Sequence, residues 1–238
     1  MSRLSEFPIT QRWPAQNPDV IQLYSLATPN GVKVSIALEE MELPYEVHRI
    51  SFDTDDQMTP EFLSLNPNNK IPAIIDPDGP DGNPIGLFES GAILLYLAEK
   101  TGRLMPNDPV GRYEMIQWIM FQMGGIGPMF GQFGHFHKYA ADKVANNPYP
   151  AQRYTNESRR LLGVLEGRLR DRKFIMGEEP SDYSIADIAI FPWVRGLSVH
   201  YDAAEALKLA DFPSVMAWVE RCSDRPASVK GFMVPPPV

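Results

Sequence analysis

The stretch that decides the fold is "VIQLYSLATPNGVKVSIALEEMELPYEVHRI", residues 20–50. Its apolar run at 20–25 and the alternation at 45–50 predict two strands. Between them, residues 30–41 place Val32, Ile36 and Leu38 on one face and predict a helix. The stretch therefore predicts a β-α-β unit, and "TPN" at 28–30 lies where the first strand gives way to the helix. Whether this segment is only a turn or also a chemical site is left open by its pattern.

The following residues continue the mixed pattern. Further elements are predicted as helices at 60–65 and 89–101 and as strands at 73–76 and 85–88, the two strands being joined by the turn-forming "PDGPDGNP". The order β-α-β, α, β-β-α is that of a thioredoxin-like α/β domain, which we assign to residues 20–104.

After a Pro-containing segment at 105–111, which we interpret as a linker, the hydrophobic period becomes helical. Helices are predicted at 112–123, 129–141, 151–172, 184–196 and 213–223. They define an all-helical C-terminal domain, residues 112–226. The Pro-containing ends, 1–19 and 227–238, are expected to be extended tails.

Composition excludes several classes of function. No window approaches the length of a membrane span and the N-terminus lacks a signal-peptide pattern, so we expect a cytoplasmic protein that does not enter membranes. A net charge of −8 argues against nucleic acid as a partner. The one cysteine, Cys222, excludes an internal disulfide and any CxxC site, so thiol chemistry here needs a thiol from another molecule. His135 and His137 are two residues apart and diverge on a helix, so no metal site is expected.

Four local motifs have competing interpretations. Pro72 either begins an edge strand or follows a cis peptide bond that presents the backbone of Ile71 to an extended ligand. Glu89 and Ser90 either cap a helix or bind the ammonium and carboxylate of a zwitterion. The glycines of "MGGIGPMFGQFG", residues 123–134, lack the phosphate-loop pattern and are expected to break one long helix in two and allow close packing. "SIAD", residues 184–187, predicts a capping box, which is a folding signal.

Taken together, "TPNGVKV", "EFLSLNPNNKIPAI", "LFESGAILLYLAEKTG", "GGIGPMFGQ" and "YSIADIAIFPWV" resemble the cytosolic glutathione transferase superfamily. Within it they are most similar to the bacterial Nu class, which is related to the fungal prion-type nitrogen regulators. The resemblance covers residues 20–226. It implies a homodimer that binds glutathione, with one or two molecules per site left open, and it implies no metal.

The resemblance also implies roles for individual residues. Thr28 and Asn30 match the pair that faces the glutathione sulfur. The implied glutathione contacts are Gln57, Lys70, Ile71, Pro72, Glu89, Ser90 and, from the second subunit, Arg153. Candidates for a pocket that takes a small apolar or aromatic second substrate are Phe133, Phe136, Tyr139 and Tyr201, each of which could equally be ordinary packing. "GQFGHFHKYA" departs from the more polar family pattern at this pocket.

The implied function is a glutathione-dependent enzyme. The resemblance implies that a stabilised glutathione thiolate attacks a disulfide or a glutathione thioether. Glutathione would bring the sulfur, because the chain has no cysteine at the strand-to-helix turn. The alternatives are a conjugating glutathione S-transferase and a non-catalytic, glutathione-binding regulatory protein. The related regulators carry a long Asn/Gln-rich tail, and the short N-terminal tail here favours the enzyme.

Overall fold

The predicted β-α-β unit is present in the computed structural model, which describes residues 3–236. The chain forms two compact units, one running to Arg103 and including the segment from Pro226 onward, the other spanning Leu104–Arg225. The elements of the first unit up to Arg103 are α1 (Ile9–Arg12), β1 (Ile21–Ser25), α2 (Gly31–Glu40), β2 (Tyr45–Arg49), α3 (Pro60–Leu65), β3 (Ala73–Asp76), β4 (Ile85–Phe88) and α4 (Ser90–Thr101).

A four-stranded mixed sheet forms the centre of this unit. The strand order is β2-β1-β3-β4, with β1 and β2 parallel and the other two pairs antiparallel. This arrangement confirms the thioredoxin-like α/β fold. The register pairs Tyr24 with Ala73 and Ala73 with Phe88, so the end of β1, the start of β3 and the end of β4 meet at one edge of the sheet.

Helices α2 and α4 pack against each other beside the sheet. Val32, Ile36 and Leu38 of α2 are buried, as the helical period predicts. In α4 the buried residues include Ile93, Leu94 and Leu97. Burial of this apolar surface fixes the start of both helices at the same edge of the sheet.

The prediction of an extended N-terminal tail is wrong. A short 3₁₀ helix at Arg3–Glu6 and the single turn of α1 place Leu4 and Ile9 in a core cluster with Tyr24 and Ile71. The prolines in this segment favoured an extended interpretation. The residues that pack against Leu4 and Ile9 lie far along the chain, so no local pattern indicated their burial. Burying two such side chains contributes roughly 3–6 kcal/mol, enough to hold the segment against the sheet.

The second unit is helical, which confirms the predicted α domain. Its helices are α5 (Pro109–Phe121), α6 (Gly127–Gly134), α7 (Tyr149–Leu169), α8 (Ile185–Val199) and α9 (Pro213–Ser223). The segment that we interpreted as a linker belongs to this unit, since the unit begins at Leu104 and its first helix at Pro109.

The glycine-rich segment does not break the helix, contrary to our prediction. A π-helical turn at Gln122–Ile126 carries the chain from α5 into α6 with helical backbone angles. Close packing is found at Gly134, where a Cβ would overlap the ring of Tyr201, but not at Gly124, where a Cβ would meet no atom within 4 Å.

The predicted capping box at the start of α8 is present. Asp187 accepts hydrogen bonds from the backbone N–H of Ser184 at 2.9 Å, from that of Ile175 at 2.8 Å and from the indole N–H of Trp218 at 2.9 Å. All of these groups are buried. One carboxylate therefore joins α8, the preceding loop and α9.

The prediction of an extended C-terminal tail is also wrong. Residues Pro226–Gly231 form α10, which packs against α2 of the first unit. The buried hydroxyl of Ser35 donates to the carbonyl of Gly231 at 2.7 Å, and Lys230 pairs with Glu39 at 3.2 Å. This end of the chain therefore supports the helix that follows the "TPN" segment.

Within residues 3–236, none of the helices combines the length and the apolar character that crossing a bilayer would take.

Candidate functional site

The first component of the site is the start of α2. The Thr28 hydroxyl oxygen accepts a hydrogen bond from the N–H of Gly31 at 3.2 Å, and its carbonyl accepts from Val32 at 3.0 Å. These are the two bonds of a helix N-cap, although regular helix begins only at Gly31. Thr28 is half-buried, and its hydroxyl keeps its own hydrogen for another acceptor. The capping bond thus orients the hydroxyl and leaves it able to donate.

Asn30 is held by a residue that sequence analysis missed. The Lys33 Nζ donates to Asn30 Oδ1 at 2.8 Å and to the Ser90 hydroxyl oxygen at 3.3 Å, joining the starts of α2 and α4. Lys33 is fully buried. Burial lowers the pKa of Lys33 well below its ordinary value, and the negative charge of Glu89 acts in the opposite direction. A cation in the first turn opposes the helix dipole, which is a sequence signal that could have identified it.

Glu89 and Ser90 lie at the start of α4, beside the end of β4. The Glu89 backbone has φ 70°, in the left-handed region that few side chains favour. Its side chain is exposed and makes no capping bond, so the purely capping interpretation of Glu89 has no support in this geometry. Ser90 is 5% exposed. Such strain at a strand-to-helix junction is typical of functional positions.

The Ile71-Pro72 peptide is cis and lies immediately before β3. The sheet register places it beside the end of β1 and therefore beside the "TPN" segment. The Ile71 side chain is largely buried in the core cluster that contains Leu4 and Ile9. This packing holds the residue in place and leaves its backbone as the group available at this edge of the sheet. Lys70 is exposed, and its carbonyl accepts from Asn66 Nδ2 at 2.5 Å.

Gln57 lies in a single turn, Asp56–Met58, beyond β2. The turn is fixed because the Asp56 carboxylate accepts from the N–H of Ser51 at 2.9 Å and pairs with Arg12 at 2.8 Å. The Gln57 Oε1 atom is buried and has no hydrogen-bond partner among the described residues.

The remaining predicted residues belong to the helical unit. Arg153 is exposed on α7 and lines an open groove of about 510 Å³ with Tyr149, Glu157 and Arg160. Arg160 and Glu157 form an ion pair at 2.7 Å.

The four predicted aromatic residues differ in exposure. Phe133 is 1% exposed and stacks on His137, so its ring is core packing and offers no open surface. Tyr201 is 8% exposed and covers Gly134. Phe136 stacks on Tyr154, and Tyr139 is 65% exposed. We keep these last two as candidates for contact with a second substrate.

Cys222 is buried in α9 with 0% exposure. A thiol without solvent access cannot reach a substrate in this conformation. The geometry therefore gives a helix start with oriented donors and requires the sulfur to come from a ligand.

The chain matches two family models and several known proteins. The family model for the glutathione S-transferase N-terminal domain matches residues 19–99, and that for the C-terminal domain matches residues 130–226. The disulfide-bond oxidoreductase YfcG of Escherichia coli is 45% identical over 210 residues, which are 88% of this chain and 93% of that protein.

Two solved structures are more similar still. A glutathione transferase from Burkholderia graminis, crystallised with two glutathione molecules per subunit, is 62% identical with a TM-score of 0.95 and covers 99% of this chain and 96% of its own. A glutathione transferase from Pseudomonas putida, with one glutathione disulfide per subunit, is 57% identical with a TM-score of 0.94, covering 98% of this chain and 99% of its own. The chain belongs to the glutathione S-transferase superfamily, and within it to the Nu and Ure2p-like type that its motifs resemble.

Proposed function

We propose that this protein is a glutathione-dependent enzyme in which a bound glutathione thiolate attacks a disulfide or a glutathione thioether. The observation that carries the proposal is the helix start at Thr28, which has the hydrogen bonds of a cap and a hydroxyl still able to donate. The one cysteine is buried in another helix, so glutathione supplies the reacting sulfur.

The free energy needed to stabilise the glutathione thiolate is modest. A free thiol has a pKa near 8.5, and lowering it by about two units requires on the order of 2.7 kcal/mol of preference for the anion. The start of α2 contributes about 0.3–1 kcal/mol through the helix dipole. Each hydrogen bond to a charged acceptor adds about 1.5–3 kcal/mol, so one bond from Thr28 and one from Asn30 suffice.

The other end of glutathione is assigned to the start of α4. Ser90 and the free N–H groups of this helix suit the γ-glutamyl carboxylate, and the exposed Glu89 carboxylate suits its ammonium group. Between the two ends, the backbone of Ile71 at the cis peptide suits the cysteinyl moiety. Gln57, which follows β2, and Lys70, which precedes β3, are assigned as further polar contacts.

Both reactions balance with glutathione alone. In disulfide reduction the thiolate displaces one sulfur of the substrate, and a second glutathione resolves the mixed disulfide to glutathione disulfide and a free thiol. In thioether cleavage the thiolate attacks the thioether sulfur, glutathione disulfide forms, and the departing carbon takes a proton. The name of the YfcG relative and the glutathione disulfide held by the Pseudomonas putida relative support this class of reaction over conjugation.

We assign the working form as a homodimer in the cytoplasm. Arg153 lines an exposed groove on α7 and is proposed to reach the glutathione of the partner subunit. The second substrate is proposed to be small and apolar or aromatic, contacting Phe136 and Tyr139. The cytoplasm supplies the reduced glutathione that the reaction consumes.

Turnover of hydroxyethyl disulfide with glutathione tests the proposal. We expect glutathione disulfide to form in proportion to enzyme. If electrophile conjugation proceeds while the disulfide is not reduced, the protein is a conjugating transferase. If neither reaction occurs although glutathione raises Tm, it is a glutathione-binding regulatory protein.

A further inference from the structure

Lys33 is the most unusual side chain of the first unit. It lies in α2 between the buried residues Val32 and Val34 and has 0% exposure. Lysine is almost never fully buried unless its ammonium is paired, because removing the charge from water is costly. Hydrogen bonds to specific partners offset this desolvation cost.

Two of its partners are residues assigned to glutathione. The Lys33 Nζ donates to Asn30 Oδ1 at 2.8 Å within the same helical turn, and to the Ser90 hydroxyl oxygen at 3.3 Å across 57 residues of sequence. Glu89, the neighbour of Ser90, is the negative charge that acts on the ammonium, and it favours the charged form against the effect of burial.

The direction of these hydrogen bonds has a chemical consequence. The Lys33 Nζ carries hydrogens whether the amine is charged or neutral, and the amide oxygen that it contacts can only accept. The Asn30 amide must therefore point its oxygen at Lys33, which directs its NH₂ donors away from the lysine. In the same way the Ser90 hydroxyl accepts from Lys33, so its own hydrogen points elsewhere. Both side chains are thereby held as donors, the state that an anionic ligand needs.

We propose that Lys33 is a positioning residue that sets Asn30 as the donor to the glutathione sulfur and Ser90 as the donor to the γ-glutamyl carboxylate. The inference rests on the proposed function, because it needs glutathione to bind between the starts of α2 and α4. In this arrangement Lys33 acts through Asn30 and Ser90.

Lys33→Met tests the inference, since methionine has a similar length and no donor. We expect the pKa of the bound glutathione thiol, followed by the ultraviolet absorbance of the thiolate, to rise by about one unit. The Kd should weaken about ten- to a hundredfold for glutathione. S-methylglutathione has no thiolate. Its affinity for Lys33→Met should therefore fall less, by only the contribution of Ser90 to carboxylate binding. Lys230→Met is the matched control, because it removes an exposed cation that also pairs on α2 and should leave both quantities unchanged.

A purely structural lysine predicts a different result. Lys33→Met would then lower Tm while the bound thiol titrates and binds as in the wild type, and that outcome overturns the inference. If the wild-type protein itself holds no glutathione thiolate, the proposed function fails instead.

A second measurement keeps the test valid if Lys33→Met does not fold. In a double-mutant cycle of Asn30→Ala and Ser90→Ala, with Lys33 in place, each single change removes one partner of the same ammonium. We expect the double variant to weaken glutathione binding several-fold less than the product of the single effects. Multiplicative effects would overturn the link through Lys33.

Discussion

The hydroxyl oxygen of Thr28 accepts a hydrogen bond from the backbone N–H of Gly31, 3.2 Å away. The same oxygen can cap the helix and donate to a thiolate, so helix capping and sulfur binding are compatible at one residue. The capping bond restricts the hydroxyl to orientations in which its hydrogen points away from the helix.

Thr28→Ala therefore removes the cap and the donor together. We expect the pKa of the bound glutathione thiol to rise and kcat/KM to fall about ten- to a hundredfold, from loss of one charge-assisted hydrogen bond. Steady-state kinetics with hydroxyethyl disulfide measures this. Thr28→Ser keeps the hydroxyl and should retain most activity. Unchanged kcat/KM in Thr28→Ala at unchanged stability would remove Thr28 from the mechanism.

Gly31 lies where the turn comes closest to β1. A Cβ at this position would overlap the carbonyl oxygen of Leu26, which is backbone and cannot move aside alone. Gly31→Ala should cost about 1–3 kcal/mol in the free energy of unfolding and should also lower kcat/KM, because the displaced turn carries Thr28. Urea unfolding and steady-state kinetics measure the two effects.

Gly167→Ala is the control for this substitution. Gly167 is exposed on α7, and a Cβ added there would meet no atom within 4 Å, so alanine should stabilise the helix by about 0.5–1 kcal/mol. If both substitutions change the free energy of unfolding equally, the overlap with the Leu26 carbonyl does not contribute to stability.

Local patterns predicted most of the fold and part of the site. The β-α-β period, the bounds of α3, β3, β4 and α9, and the capping box all depend on neighbouring residues and matched the structure. The site at Thr28 could likewise be suspected because a threonine, a proline and a helical period follow one another in the sequence.

What escaped prediction depends on contacts between distant residues. Leu4 and Ile9 pack on Tyr24 and Ile71, and no local pattern indicates that partnership. Lys33 carries a local signal, a cation in the first turn of α2, but no local pattern indicates its contact with Ser90, which lies 57 residues away. The chain stays helical through the glycines at 124–127 because a π-helical turn absorbs them, which local propensity does not foresee.

Cys222 should be dispensable for catalysis. Its thiol is buried in α9 and the proposed reaction uses the glutathione sulfur. We expect Cys222→Ala to retain kcat/KM within about twofold and to lose roughly 1 kcal/mol of stability from the missing buried atom. A large loss of kcat/KM in a protein that remains folded would contradict the use of glutathione as the only thiol.

Asp187 should be among the residues most important for stability. Its carboxylate accepts from the N–H groups of Ile175, Ser184 and Trp218 and from the Ser184 hydroxyl, so Asp187→Ala would leave four buried donors without this acceptor. We expect a loss of about 3–5 kcal/mol in the free energy of unfolding. Asp182→Ala, which removes a similar cap on a more exposed 3₁₀ turn, should cost about 1 kcal/mol or less. Similar losses in both variants would contradict a special role for Asp187.

The same carboxylate should give a distinctive pH dependence. Burial raises the pKa of Asp187 to about 6, although its hydrogen-bond donors act to lower it. An aspartate in the unfolded chain titrates near 3.9. The folded state binds this proton more tightly than the unfolded state. The protonation of Asp187 therefore contributes fully to the free energy of unfolding below a pH of about 4, and this contribution is lost as the pH rises to about 6. The amide in Asp187→Asn cannot titrate, so the stability of the wild type relative to this variant should fall over this range. Urea unfolding at the two pH values measures the difference, and a constant difference would contradict the raised pKa.

The contact between Ser35 and Gly231 should secure the end of the chain. The Ser35 hydroxyl donates to the Gly231 carbonyl at 2.7 Å in a buried position where α10 meets α2. Ser35→Ala removes this bond and leaves the carbonyl without that donor, so we expect a loss of about 1–3 kcal/mol in the free energy of unfolding.

Ser158→Ala is the matched control for this last substitution. Ser158 is equally buried, on α7, but its hydroxyl has no hydrogen-bond partner among residues 3–236, so alanine there should be neutral or slightly stabilising. Thermal and urea unfolding of both variants gives the comparison. If the two serines prove equal, the hydrogen bond to Gly231 does not hold α10. If only Ser35→Ala is destabilising, α10 acts as a support for the helix that presents Thr28 and Asn30.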